Sequence, residues 1–142
     1  MAPSSFSADS TGDLLMAAAR LIRRETAQEL DAWGITPAQS RALKVIASAE
    51  PVRPSVLATW LRITPRSATE VADALEEHGW IARSADLTDR RATTLALTDA
   101  GRLLLRKIED VRGQAAEHVL DILSERDRRT LDRILTKLGE QA

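Results

Sequence analysis

Apolar residues recur along most of this chain at spacings of three and four, the period of a helix that buries one face. The first such stretch begins at Asp13 and stops at Gly34. The second opens with Thr36-Pro37-Ala38-Gln39, where a capping Thr, a Pro at the first helical position and a Gln at the third mark a helix start. It ends before Glu50-Pro51. The pattern predicts two successive helices at the beginning of the chain.

Two shorter helices and a change of period follow. A short helix is predicted over 54–61 and a longer one over 65–78, the latter started by a Thr64-Pro65 cap. Residues 81–84 and 93–97 then read as two short strands around a polar loop. A helix pair joined by a tight turn and followed at once by a hairpin predicts a winged helix-turn-helix unit.

Two long helices complete the chain. Thr98 caps the first, and Ser124 with Asp127 three residues later caps the second. Their apolar positions repeat at helical spacing, with Leu104, Ile108, Val111, Ala115, Val119 and Ile122 in the first and Leu131, Ile134, Leu135 and Leu138 in the second. Because these stripes lie outside the winged unit, we expect a second copy of the chain to cover them.

The elements together predict a mainly α fold with a small β-hairpin wing. Residues 1–12 are expected to form a disordered lead-in, because they offer little to bury. Residues 13–142 then form a single domain, in which 36–97 are the winged helix-turn-helix region and 13–34 and 98–142 are dimerisation helices.

Composition restricts the function more than the fold. The 142 residues carry 20 Lys and Arg against 21 Asp and Glu, a net charge of −1, which argues against a basic coat protein or a binder of anionic membranes. Residues 51–97 are neutral too, with as many acidic residues as arginines. The absence of cysteine excludes disulfides, thiolate metal sites and thiol redox sensing. Without a signal peptide or a long apolar run, we expect a soluble, cytoplasmic protein with no membrane partner.

The predicted helix over 65–78 presents a polar side with possible chemistry. Its outward positions are Arg66, Ser67, Thr69, Glu70 and Asp73. Hydroxyls and an arginine near a helix N-terminus suit the DNA major groove, because the free N–H groups favour phosphate and the side chains reach base edges. An ordinary solvated helix face is the alternative, and the hairpin that follows directly favours DNA.

The predicted hairpin loop, residues 85–92, contains two adjacent arginines, Arg90 and Arg91. Guanidinium groups at an exposed tip can enter a minor groove, whose negative potential attracts them. Asp89, two residues before Arg91, can hold that side chain through a bidentate contact. A solubilising turn with a weak surface ion pair is the alternative interpretation.

Three segments resemble the MarR-type (multiple antibiotic resistance regulator) family of bacterial transcription factors. They are Leu-Ala-x-x-Leu at 57–61, Leu-Glu-x-x-Gly at 75–79, and Asp-Arg-Arg-Ala-x-x-x-x-Leu-Thr-x-x-Gly at 89–101. The third is the most specific, because wing charges, strand and helix cap occur in one register. The flanking helices also fit, so the resemblance covers the chain after the lead-in.

The resemblance implies a homodimer whose terminal helices interlock and whose two winged units read an inverted repeat in double-stranded DNA. The helix over 65–78 would enter the major groove, and Arg91 the minor groove with Asp89 orienting it. Arg62 and Arg90 would contact phosphates, with Arg53 a further candidate. The full set of candidate DNA-binding residues is Arg62, Thr64, Arg66, Ser67, Thr69, Glu70, Asp89, Arg90 and Arg91.

Three positions depart from the family pattern: Glu70, Ala74, where a polar or basic residue is frequent, and Leu87. Glu70 stands where Arg or Lys is frequent; it either accepts a hydrogen bond from cytosine N4 or pairs with Arg66 along the helix, the interpretation we favour. Leu87 stands where Pro is usual in the wing. Arg53 occupies the N-cap of the short helix, where its side chain cannot accept a hydrogen bond.

Family members commonly bind small aromatic or phenolic effectors between the dimer helices and the winged domain. Trp33 is placed to line such a cleft, although a core position is the simpler interpretation. Arg20, Arg41 and His118 are candidate polar groups for an anionic effector. Both Trp60 and Trp80 are expected to be packing residues.

Metal and enzyme functions find little support in the residues. A zinc site would combine His118 with Glu117 and Asp121, for which a solvated helix face is the simpler interpretation. The chain has no glycine-rich phosphate loop, no HExxH motif and no nucleophile elbow. We therefore expect no metal, no cofactor and no catalysis.

The residues and the resemblance together predict a dimeric winged helix-turn-helix regulator. It would be a repressor that binds a pseudo-palindromic operator and is released by a small-molecule effector. The alternative is a protein-interaction or dimer-scaffold module that has lost DNA binding. The features that favour this alternative are the acidic residues of the helix over 65–78, namely Glu70, Asp73, Glu76 and Glu77.

Overall fold

The computed structural model describes residues 10–141, which form six helices and one antiparallel hairpin. In chain order they are α1 (Thr11–Ala32), α2 (Pro37–Ala49), α3 (Pro54–Leu61), α4 (Pro65–Glu77), β1 (Ile81–Ala85), β2 (Thr93–Leu97), α5 (Asp99–Leu120) and α6 (Glu125–Gly139). This order confirms the predicted mainly α fold with a small β-hairpin wing.

Two predicted helix limits are wrong. Helix α1 begins at Thr11, because the Ser10 hydroxyl accepts a hydrogen bond from the Asp13 N–H at 3.1 Å and caps the helix earlier than expected. Residues 1–9 of the predicted lead-in lie outside the described residues. Helix α5 ends at Leu120, so Ile122 is not on its apolar stripe but in the connection to α6, where it is 90% exposed.

The chain divides into two compact units. The first, Ala27–Val111, is called the winged unit; the second, called the terminal unit, comprises the chain up to Thr26 and from Arg112 onward. Both α1 and α5 contribute to each unit, because the divisions fall inside these helices. The winged unit therefore extends beyond the region 36–97 that the motif suggested.

The core of the winged unit joins α2, α3, α4 and both strands with Leu30 of α1 and with Ile108 and Val111 of α5, so the chain itself covers this part of the α5 stripe, where we expected a second copy. The largest fully buried side chains are Leu43, Ile46, Leu57, Leu75, Ile81 and Leu95. Burying one such side chain contributes about 1.5–3 kcal/mol relative to leaving it in water. Strand pairing runs from Ile81 with Leu97 to Ala85 with Thr93. Val52, in the α2–α3 connection, adds a bridge to Leu95 that periodicity did not indicate.

A glycine sets the approach of α5 to this core. The Thr98 N–H donates to the Trp80 carbonyl at 3.1 Å, and the Thr98 hydroxyl donates to the Gly79 carbonyl at 2.6 Å. A Cβ on Gly101 would lie 1.9 Å from the Trp80 carbonyl oxygen. The Leu-Thr-x-x-Gly segment is thus a packing motif, in which Thr98 tethers α5 and Gly101 makes room for it.

The terminal unit presents apolar side chains to solvent. Helix α6 has no buried residue, although its sequence is amphipathic. The exposed large apolar residues of this unit are Leu14, Leu15, Met16, Leu21, Ile122, Ile134, Leu135 and Leu138. Within residues 10–141, no helix combines the length and apolar character that a membrane crossing requires.

Two of the three tryptophans are not where we expected them. Trp33 is 48% and Trp60 is 57% exposed, so the expectations of a core position and a packing role are wrong for them. Trp80 is half-buried against the winged core and stacks on the His78 ring at 4.3 Å. In the short helix α3, residues 57 and 61 face the core, and residues 56 and 60 consequently face outward.

Candidate nucleic-acid interface

The turn between α3 and α4 presents Arg62 in an unusual backbone conformation. Its φ of 55° and ψ of 46° are left-handed, a region that favours glycine at helix ends. A side chain there costs about 1–2 kcal/mol. The turn closes through the Ile63 N–H, which donates to the Ala58 carbonyl at 3.1 Å. An exposed arginine is therefore retained at a position where glycine would be less strained.

The start of α4 uses its hydroxyls for its own geometry. The Thr64 hydroxyl accepts from the Ser67 N–H at 3.1 Å and lies 2.9 Å from the Ser67 hydroxyl, capping the helix as predicted. The Thr69 hydroxyl donates to the Pro65 carbonyl at 3.0 Å. A hydroxyl oxygen that donates one hydrogen bond can still accept another. Thr69 is exposed and retains that capacity, whereas Ser67 is half-buried.

Arg66 and Glu70 form a loose pair along α4. Arg66 Nε lies 3.4 Å from Glu70 Oε1, and the side chains are 91% and 67% exposed. The structure therefore contains the intrahelical partnership that we favoured for Glu70. Exposed pairs at this spacing contribute only about 0.3–0.5 kcal/mol. Either side chain can therefore leave the other for a base edge at small cost.

Arg83, which the sequence did not single out, joins the wing to α4. It extends from β1 and donates to Asp73 at 2.6 Å and to Glu76 at 3.0 Å. Its side chain is only 24% exposed. Asp73 and Glu76, two of the acidic residues that favoured the interaction-module alternative, are therefore paired with an arginine of the winged unit. Arg83 lies seven and ten residues after its two partners, beyond the end of α4, so helical periodicity does not relate the three positions. Only the folded structure shows that they form a cluster.

A second ion pair joins the wing to α3. Arg53 Nε donates to Asp86 Oδ2 at 2.7 Å, and the other Asp86 oxygen accepts from the Thr88 N–H at 2.8 Å. The hydrogen bond from Arg53, together with those from Thr88, holds the pKa of Asp86 well below its usual range. This pair explains why arginine stands at the α3 N-cap, since its side chain binds the wing.

The wing tip leaves two arginines exposed. Asp89 Oδ1 accepts from the backbone N–H of Arg91 at 3.0 Å, so the carboxylate orders the backbone of the turn. Among residues 10–141, the guanidinium groups of Arg90 and Arg91 form no ion pair. The bidentate contact that we expected between Asp89 and the Arg91 guanidinium is therefore not formed among the described residues, because Asp89 binds the Arg91 backbone instead.

Ion pairing sorts the six arginines of residues 51–97 into two groups. Arg53, Arg66 and Arg83 are paired with acidic residues of the same unit. The others, which have no such partner in the part of the chain that the structure describes, are Arg62, Arg90 and Arg91. Residues 51–97, which are neutral overall, thus present unpaired positive charge at the helix-turn-helix turn and at the wing tip.

The candidate effector residues are distributed over both units. Trp33, in the α1–α2 connection, and Arg41, on α2, are exposed residues of the winged unit. Arg20 and His118 belong to the terminal unit, where His118 Nδ1 lies 2.8 Å from Glu25 Oε2. Nowhere in residues 10–141 do three side chains of metal-ligating type converge on a possible ion site. The effector assignment stays a prediction.

Curated relatives extend over most of this chain. The model of the MarR family matches residues 35–93. The transcriptional repressor Rv2887 of Mycobacterium tuberculosis is 30% identical over 128 residues, which cover 90% of this chain and 92% of the relative. The repressor MdtR of Bacillus subtilis is 29% identical over 90% of this chain and 83% of its own length. Repressor relatives do not favour the interaction-module alternative.

Solved structures show the same fold. Apo MarR from E. coli superimposes with a TM-score of 0.81 at 25% identity, covering 91% of this chain and 96% of that one. Rv2887 in complex with p-aminosalicylic acid gives 0.71 at 28% identity, with 92% and 98% covered. A mutant of MepR from S. aureus, bound to an oligodeoxyribonucleotide, gives 0.71 at 20% identity, with 93% and 97% covered. Sequence and structure together show that the chain belongs to the MarR family of winged-helix transcriptional regulators.

Proposed function

We propose that this regulator is a homodimeric repressor that binds a pseudo-palindromic DNA operator and releases it when a small aromatic or phenolic effector binds. The observation that carries the proposal is the unpaired positive charge at two points of the winged unit, Arg62 in the turn before α4 and Arg90 with Arg91 at the wing tip. Cations at such a turn and at a wing tip can bind phosphates and enter an adjacent minor groove.

In the proposed complex, α4 lies in the major groove. Its N-terminal residues Arg66, Thr69 and Glu70 are exposed and reach base edges, while Thr64 and Ser67 hold the helix start against the DNA backbone. Arg91 enters the minor groove, and Arg62 and Arg90 bind phosphates. The MepR structure bound to an oligodeoxyribonucleotide supports this use of the fold.

The homodimer is supported by the terminal unit. Its exposed apolar residues on α1 and α6 have no core of their own to enter, and a second copy of the same surface would bury them. Two copies carry two α4 helices, so the operator is expected to have half-sites about 34–36 Å apart, one turn of DNA. A chain that stays monomeric at micromolar concentration would contradict this arrangement.

The effector is supported by the p-aminosalicylic acid complex of Rv2887, an aromatic carboxylate bound by a relative. Exposed Trp33 offers an aromatic surface, and Arg20, Arg41 and His118 offer cationic groups. We expect an aromatic carboxylate to weaken operator binding without changing the oligomeric state. Titration of p-aminosalicylic acid into a preformed operator complex tests this.

The DNA contacts are tested by Arg91→Ala and Arg62→Gly on an operator duplex taken from the chain's own upstream region. Each change is expected to weaken binding and to reduce the salt slope by about one for each guanidinium removed from the DNA surface. Because glycine relieves the left-handed backbone at position 62, Arg62→Gly should bind less tightly while its thermal unfolding temperature is unchanged or higher. Fluorescence anisotropy at several salt concentrations measures the affinity and its salt slope, and thermal unfolding measures the stability. Unchanged affinity in Arg91→Ala would remove the wing from the interface.

The salt dependence of the wild-type complex is itself informative. Few basic residues face the proposed DNA surface, so the fall of affinity with salt should be shallow compared with strongly basic repressors. A steep slope would mean that another phosphate-binding surface exists.

A further inference from the structure

The wing is joined to the helix-turn-helix by an ion pair that lies outside the three sequence motifs. Arg53, at the N-cap of α3, reaches across 33 positions of sequence to Asp86, the first residue of the wing loop (residues 86–92). The two side chains are 43% and 10% exposed. Asp86 is thus largely covered although it lies in a polar surface loop.

Asp86 also organises the loop that follows it. Its Oδ1 accepts hydrogen bonds from the Thr88 N–H at 2.8 Å, the Thr88 hydroxyl at 2.7 Å and the Asp89 N–H at 3.3 Å. This local turn restrains the backbone around Leu87, which has no proline ring to restrict its φ. One oxygen of the Asp86 carboxylate therefore stabilises the loop conformation, and the other oxygen binds Arg53.

Little apolar packing supports the loop on this side. Leu87 is fully exposed, and a groove of about 310 Å³ lies between the wing and the α2–α3 connection. Val52, Val56 and Thr94 line this groove together with Arg53 and Asp86. Because side chains leave this space open, the ion pair spans it and fixes the distance between wing and helix.

We propose that Arg53 and Asp86 are a positioning pair that aims the wing arginines at DNA, so that Arg91 reaches the minor groove while α4 occupies the major groove. Helix α3 is anchored by Leu57 and Leu61 in the winged core, and α4 follows it after a short turn. An ion pair between the wing and α3 therefore fixes the position of the wing relative to α4. The proposal rests on the proposed DNA-binding function and concerns how the wing is directed.

The sign of a charge removal makes the proposal testable. Asp86→Asn removes one negative charge near DNA and keeps an oxygen that can serve the local turn. General electrostatics predict tighter binding from such a change, whereas loss of a positioning pair predicts weaker binding. The matched control is Glu77→Gln on α4, an exposed residue with no ion pair in residues 10–141. It should leave operator affinity unchanged or slightly higher.

A double-mutant cycle then identifies the group on which the pair acts. We expect Asp86→Asn to weaken operator binding about tenfold, close to the effect of removing one guanidinium from a base edge. In an Arg91→Ala background the same change should have little further effect, since the side chain that the pair aims is already absent. Arg53→Gln should show the same coupling to Arg91, which a phosphate contact made by Arg53 itself would not.

Three results would overturn the proposal. Equal losses of affinity in the two backgrounds would show that Asp86 does not act through Arg91, and unchanged or tighter binding in Asp86→Asn would exclude a positioning role. Asp86→Asn could instead unfold at the assay temperature, while Arg53→Gln stays folded and its effect on affinity is independent of Arg91. The pair would then be a stabilising contact only. Failure of the proposed DNA function is distinct, because the wild-type chain would then show no specific binding to the operator duplex.

Discussion

The two units of this protein use the same helical pattern in different ways. In the winged unit, apolar residues from five helices and two strands are buried together, and its ion pairs join elements distant in sequence. In the terminal unit, Ala115 is the one buried apolar residue among those described, and α6 buries none. Amphipathic periodicity therefore specifies a face to be covered but not which molecule covers it.

The largest effect should come from a charge placed on the apolar face of α6. Leu135→Glu would bury an unpaired carboxylate in the proposed dimer interface, which costs several kcal/mol per copy. We expect monomers by analytical ultracentrifugation and a loss of operator binding, with the winged unit still folded by circular dichroism. Thr136→Glu, the next residue on the polar side of α6, is the matched control and should remain dimeric.

The reverse outcome would be equally informative about the two units. If Leu135→Glu unfolded the winged unit as well, the terminal unit would not be an independent assembly surface. If both variants stayed dimeric, α6 would not belong to the interface between copies.

A smaller effect should separate two glycines of α5, one in each unit. Gly101→Ala places a Cβ 1.9 Å from the Trp80 carbonyl and should destabilise the fold by about 1–3 kcal/mol or more, as overpacked sites do. Nothing lies within 4 Å of a Cβ on Gly113, so Gly113→Ala should stabilise the helix by about 0.5–1 kcal/mol. Urea denaturation of the two variants measures both. A destabilising Gly113→Ala would indicate that the second copy approaches this point.

The smallest effect concerns pH and the terminal unit. Glu25 raises the pKa of His118 through a hydrogen bond and its charge, with a weaker contribution from Asp121. A raised pKa means that the pair stabilises the protein below about pH 6.5, the ordinary histidine value, and that this stabilisation is lost as pH rises through the shifted value. Comparing thermal unfolding of wild type and His118→Gln at about pH 5.5 and 8.5 tests this.

The stability difference between wild type and His118→Gln should shrink at the higher pH. Glu25→Gln should behave like His118→Gln. Because His118 is largely exposed, the change is expected to be small. A difference that is constant with pH would show that the pair does not titrate in this range.

Local chemistry allowed the element order to be predicted. The Thr36 and Thr64 caps act within four residues, and each is found as expected. The orientation of α3 was not accessible in this way, because the helix carries two i, i+4 pairs of large apolar residues, 56/60 and 57/61, and the sequence does not say which pair faces the core. Trp60 was therefore expected to pack and is exposed.

The residues of the candidate site also divide into those that local sequence could identify and those that it could not. The exposed arginines of the turn and wing could be named from motifs, because motifs record positions close in sequence. The partners of Arg53 and Arg83 could not, since the pairing of these residues depends on where the hairpin folds back against α3 and α4. These partners determine which arginines remain unpaired.

The helices, the hairpin, the helix caps and the positions of charge along the chain could be predicted before folding was considered, since each depends on neighbouring residues. Tertiary structure decided which charges neutralise one another. It brought Asp86 to Arg53 and the acidic residues of α4 to Arg83, which left Arg62, Arg90 and Arg91 without partners in the described chain. Ion pairing depends on distance in space, and a neutral composition acquires a directed positive surface only after folding.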